Sequence, residues 1–94
     1  MEPELPAGWT SERLRSVSGD SEATALSADR LVTVERPGQI AAGIDPRFVL
    51  AFHDLALVQD RDDSDWYMGA IHADGTVSCW ASYGEDLETA IRSL

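Results

Sequence analysis

Hydrophobic and polar positions alternate most regularly in the last third of the chain. The segments "WYMGAIH" (66–72) and "TVSCWAS" (76–82) flank "ADG", the pattern of a β-hairpin. Two turns fit: a two-residue type I′ turn on Asp74 and Gly75, or a three-residue loop with Gly75 in a left-handed bulge position. Beyond the hairpin, Tyr83, Leu87, Ala90, Ile91 and Leu94 recur at helical spacing. Ser82 followed by Glu85 reads as a capping box, acids crowd the first turns, and Arg92 stands in the last. The pattern predicts a C-terminal helix whose apolar stripe covers a sheet face.

Upstream the periodicity is weaker. Residues 1–8 hold Pro3, Pro6 and Gly8 and read as a loose arm, with Trp9 anchoring the chain to the body. "TSERLRSV" fits a short helix capped by Thr10 or an irregular strand. "DSEATALSA" favours one or two helical turns, with Asp20 as N-cap. "RLVTVER" (30–36) is a strand stopped by "PG", and "QIAAGI" is too short for a stable helix. "DPRFVLAFHD" has an aspartate-proline helix start and an apolar run that equally suits a buried strand; the expectation leans to a short helix at 46–53. "LALVQ" (55–59) reads as a central strand, and "DRDDSD" (60–65) as a solvated loop. Together these elements predict one domain over 1–94 of the α+β class. Its centre is a small antiparallel sheet of about three to five strands, ending in the hairpin and a C-terminal helix packed on one face.

Alternation sorts the last strand of the hairpin into two faces. Val77, Cys79 and Ala81 share one; Thr76, Ser78, Trp80 and Ser82 share the other. The first set, small and apolar, suits the side that a helix covers. With the two-residue turn Trp80 faces Gly69. With the bulged turn it faces Met68, with Trp66 on the diagonal. A Trp66–Met68–Trp80 patch bordered by Asp62, Asp63 and Asp65 then has the composition of a protein-binding hot spot. The alternative is a Trp80 covered by a second helix or by the arm carrying Trp9.

Charge narrows the partners. The 94 residues carry seventeen acids, ten of them Asp, against seven Arg and no Lys, for a net charge of −10. Phosphate neutralisation needs a basic patch, so direct nucleic-acid binding is not expected. Acidity suits solubility or steering toward a basic protein. The chain also lacks Asn, and with Lys absent this points to a GC-rich bacterial or phage genome. There is no apolar run of membrane-spanning length and no signal-peptide pattern at the N-terminus, and the single cysteine fits a reducing compartment, so a cytoplasmic location is expected.

Candidate chemistry is sparse. A nucleophilic Cys79 with His72 requires an electropositive setting that an apolar face does not supply. A zinc site from Cys79, His72 and His53 lacks paired-ligand spacing. Asp60, Asp62 and Ser64 start like a calcium loop, but Asp65 stands where its glycine belongs and Ile71 where its glutamate belongs. No nucleophile elbow, P-loop, dinucleotide fingerprint or zincin motif is present. The sequence therefore suggests no catalytic residue, metal or cofactor. It leans to a non-enzymatic protein-binding domain, of the inhibitor or immunity type, for a basic partner. A homodimeric structural domain, or a small enzyme or metal protein using His72 and Cys79, is the alternative.

Overall fold

A computed structural model describes residues 5–35, 42–53, 55–61 and 64–93. Two short helices, α1 (Ser11–Ser18) and α2 (Leu87–Arg92), accompany seven strands: β1 (Thr24–Leu26), β2 (Val32–Val34), β3 (Ala42–Ile44), β4 (Pro46–Phe52), β5 (Leu55–Asp60), β6 (Trp66–Ile71) and β7 (Val77–Ser82). They form one sheet in the order β1-β4-β5-β6-β7-β2-β3. Every pair is antiparallel except β2 with β7, which run parallel. The expected sheet of three to five antiparallel strands with a helix on one face is thus corrected: the molecule is mostly sheet, and that sheet is mixed, seven-stranded and curled into a half-barrel.

The connections require the curl. Five strand spacings separate β3 from β4 in the sheet order, about 24 Å if the sheet were flat. Yet only Asp45 lies between Ile44 and Pro46, and two Cα steps span at most about 7 Å. The sheet must bend until its far edge returns to β4. The Arg61 amide donates to the Asp45 carbonyl at 3.0 Å and pins that corner.

Curling gives the sheet an inside and an outside. Val32, Val34, Val49, Ala56, Val58, Tyr67, Val77 and Cys79 fill the inside, and Leu26 and Ile44 close on them from the two edge strands. The other face of β4–β6 presents Phe48, Leu50, Phe52, Leu57 and Trp66, which share a second cluster with Leu14 of α1 and Leu87, Ala90 and Ile91 of α2. Val77 and Cys79 therefore face the inside of the curl, not the helices, which corrects the expectation drawn from alternation.

Local signals explain the remaining differences. Helix α1 forms as one of its two readings proposed: the Thr10 side chain accepts from the Arg13 amide at 3.1 Å, and Gly19 closes the helix at φ 71°. Residues 24–26 are strand, not helix. Asp20 caps a tight turn instead, its Oδ1 accepting the Glu22 amide at 2.8 Å. The predicted helix at 46–53 is strand β4, because Phe48, Val49 and Leu50 are all buried and serve both clusters. Helix α2 begins later than the capping box proposed. Ser82 ends β7, and the cap is Asp86, whose Oδ2 accepts from the Thr89 hydroxyl at 2.6 Å and the Thr89 amide at 3.3 Å. The Thr89 hydroxyl bond, first among several causes, holds the Asp86 carboxyl below its usual 3.8. Leu5 and Trp9 pack against the helix-side cluster, and the Arg13 guanidinium lies 4.1 Å from the centre of the Trp9 ring.

Candidate functional site

The hairpin turn is the three-residue alternative. The His72 amide donates to the Thr76 carbonyl at 2.8 Å, the Gly75 amide to the His72 carbonyl at 2.9 Å, and Gly75 has φ 89°. Asp74 locks the loop by accepting from the Thr76 amide at 3.0 Å and hydroxyl at 2.7 Å, which holds its carboxyl below 3.8. Arg30, two residues before β2, reaches across to the Gly75 carbonyl at 3.0 Å.

From this turn the register runs Ile71 with Val77, Ala70 with Ser78 and Gly69 with Cys79, and then slips. Met68 pairs with Ala81, so Trp80 is the extra residue of a β-bulge. The bulge breaks the period-two argument at this point. Ala81 leaves the phase of Val77 and Cys79, and Trp80 is turned out, 48% exposed. Beyond the slip the ladder recovers: the Tyr83 amide donates to the Trp66 carbonyl at 2.9 Å, and the Trp66 amide to the Gly84 carbonyl at 2.7 Å.

The expected patch is split by this geometry. Trp66 is 1% exposed and stacks on Phe48 with centroids 6.2 Å apart. Met68 is half-buried against the helix-side cluster, and Trp80 is displayed beside it. Asp65 is half-buried, while Asp62 and Asp63 lie outside the described residues. A neighbour that the sequence reading missed takes their place. The Glu35 amide donates to the Cys79 carbonyl at 2.8 Å, which puts exposed Glu35 alongside Trp80 on the adjacent strand. Alternation along β2 places Leu31, Thr33 and Glu35 on the same face as Ser78 and Trp80. Leu31 is 62% exposed, so the two exposed large hydrophobic side chains among the described residues share this face.

Nucleophilic chemistry fares poorly. Cys79 is fully buried, and desolvation pushes its thiol up to about 12. At pH 8 the folded protein is therefore expected to resist Ellman's reagent, and the denatured chain to react with one thiol. Rapid labelling of the native protein would contradict this burial. His72 does not meet Cys79; its Nε2 pairs with the Ser78 Oγ at 2.8 Å. A serine–histidine pair acts as a nucleophile where an acid orients the imidazole and donors await an oxyanion. Asp74, the acid nearest in sequence, is taken up by Thr76. The pair ties the hairpin ends together.

No family model, no curated protein and no solved structure matches the chain. Among the described residues no helix is long and apolar enough to cross a membrane.

Proposed function

We propose that this chain is a small, non-enzymatic protein-binding domain that docks a basic protein on the face that exposes Trp80 and Leu31, in the manner of an inhibitor or immunity-type protein. The observation that carries the reading is Trp80 itself. A bulge turns a large ring outward at 48% exposure, on a face that also shows Leu31 and is flanked by Glu35. Large rings set in a polar rim are the usual anchors of protein interfaces. The occupant follows from charge: a surface with a net charge of −10 attracts a cationic partner and speeds its arrival.

The test is capture from the native host with the parent chain and with W80A, followed by kinetics on the protein retained. The partner is expected to be basic, with an on-rate falling about tenfold or more from low to high salt. The W80A variant is expected to weaken binding about thirtyfold, the effect of losing one hot spot of about 2 kcal/mol. A salt-independent on-rate, an unchanged affinity for W80A, or capture of nothing but a second copy of this chain overturns the reading.

A further inference from the structure

The loop that follows α1 and the turn that follows β4 bring three ligand-type side chains together, on elements other than the strand that carries Trp80. They are Asp20, Glu22 and His53, and their ligand atoms all lie within 4.8 Å of one another. The register explains the meeting. β1 pairs with β4 through Thr24 with Ala51, and two further steps along that ladder set Glu22 opposite His53. Asp20 is held between them by its own backbone. Its amide donates to the Ser18 Oγ at 3.1 Å, and its carbonyl accepts the Ala23 amide at 3.2 Å.

The decisive atom is Oδ2 of Asp20. This is the one buried polar residue among the described ones, 5% exposed, and its Oδ2 is a buried oxygen with no hydrogen-bond donor. A buried carboxylate oxygen in that position is costly unless something cationic meets it. The nearest candidate is the His53 Nε2, at 3.5 Å. That is long for a charge-assisted hydrogen bond, which closes to about 2.8 Å. It matches two ligands of a single tetrahedral ion, which stand about 3.4 Å apart when each is about 2.1 Å from the metal. His53 adopts φ 55°, a left-handed backbone that non-glycine residues seldom take, and its side chain is 72% exposed with Nε2 toward Asp20. Glu22 is exposed, and its carboxylate already lies within 4.8 Å of the other two ligand atoms.

We propose that Asp20, Glu22 and His53 bind a divalent first-row transition-metal ion. One imidazole nitrogen with two carboxylates suits zinc and its neighbours; calcium and magnesium prefer oxygen alone. The exposed side of the cluster leaves a coordination position to solvent. Binding would tie the loop between α1 and β1 to the β4–β5 turn, and so secure the edge strand β1.

The test uses the whole chain, freed of metal with chelator and titrated with zinc by calorimetry, by thermal unfolding and by amide NMR. The parent is expected to bind one zinc, to gain thermal stability with zinc concentration, and to shift amides around residues 20–23 and 52–53. H53G removes the ligand while supplying the residue that prefers positive φ, so it is expected to fold and to bind zinc at least about tenfold more weakly. D20N keeps an acceptor for the Glu22 amide and is expected to lose the zinc-dependent rise in Tm. Calcium and magnesium are expected to leave the Tm unchanged. Zinc affinity that survives H53G, shifts that gather on the 60–65 loop or around His72, or no binding at millimolar zinc overturns the proposal and leaves Asp20–His53 an ion pair.

Discussion

Gly69→Ala is expected to destabilise the protein by about 3 kcal/mol or more, the upper end of the range for forcing an atom into a packed core. A Cβ on Gly69 would run into the Ser78 carbonyl oxygen and would lie 2.6 Å from the Ser78 carbonyl carbon and 2.7 Å from the Cys79 Cα. All three are backbone atoms, so no side chain can swing aside. They belong to the stretch of β7 just before the bulge, where Gly69 pairs with Cys79 and Ala70 with Ser78. To move β7 away, the sheet would have to give up those pairings and the parallel contact of Thr33 with Ser78 on the other side. A chain of this size has a total stability on the order of 5–10 kcal/mol, so the loss would lower Tm by roughly 12 °C or more. Gly43→Ala is the control. A Cβ there meets only the Val32 carbonyl oxygen, at 3.9 Å, and the expected change is within about 0.5 kcal/mol. Thermal unfolding of both variants checks the pair. A Gly69→Ala protein as stable as the parent would mean that the two strands do not approach this closely.

The same junction shows where local reading of the sequence reaches its limit. Two strands separated by a short Gly-containing turn declare themselves, so the 66–82 hairpin is legible in the sequence; the choice between its two-residue and three-residue turns is not, and the hydrogen bonds of His72 and Gly75 decide it. The second bulge, at Trp80, has no turn signal of its own. It lies where β7 passes close over Gly69 and the ladder slips by one residue. Strand β4 escapes a local reading because Asp45-Pro46 is a helix-start signal, whereas the burial of three consecutive residues on both faces is a property of the assembled sheet. Edge strands β1 and β3, three residues each, carry too little pattern to outvote their surroundings. The parallel pairing of β2 with β7 joins residues 45 apart, such as Thr33 and Ser78, and nothing local encodes it. The cluster at Asp20 was hidden in the same way. The sequence offers His53 only Cys79 and His72 as companions, whereas its neighbours in the structure are set by the pairing of β1 with β4.

Trp66→Ala is expected to cost about 3–5 kcal/mol of stability, the range for deleting a large buried aromatic, and Trp80→Ala no more than about 1 kcal/mol. Both residues sit on strands of one hairpin, and the sequence gives them similar settings. The structure separates them. Trp66 is 1% exposed, stacks on Phe48, and belongs to the cluster that joins both helices to the sheet. Truncating it opens a cavity where α1, α2 and β4 meet, and that frame cannot collapse without losing Leu14 and Ile91 from their places. Trp80 already has about half its surface in water, so the alanine variant forfeits one flank of packing and leaves no void. Urea denaturation of the two variants, with unchanged m-values, measures the contrast. Comparable losses would mean that Trp80 is a structural residue and that its face is not free for a partner. A large loss at Trp66 alone would leave W80A as a folded protein in which a binding defect is read without correction for unfolding. The stability measurement therefore comes before the capture experiment: only a ring that contributes little to folding lets a loss of binding in W80A be assigned to the lost contact and not to a disturbed fold.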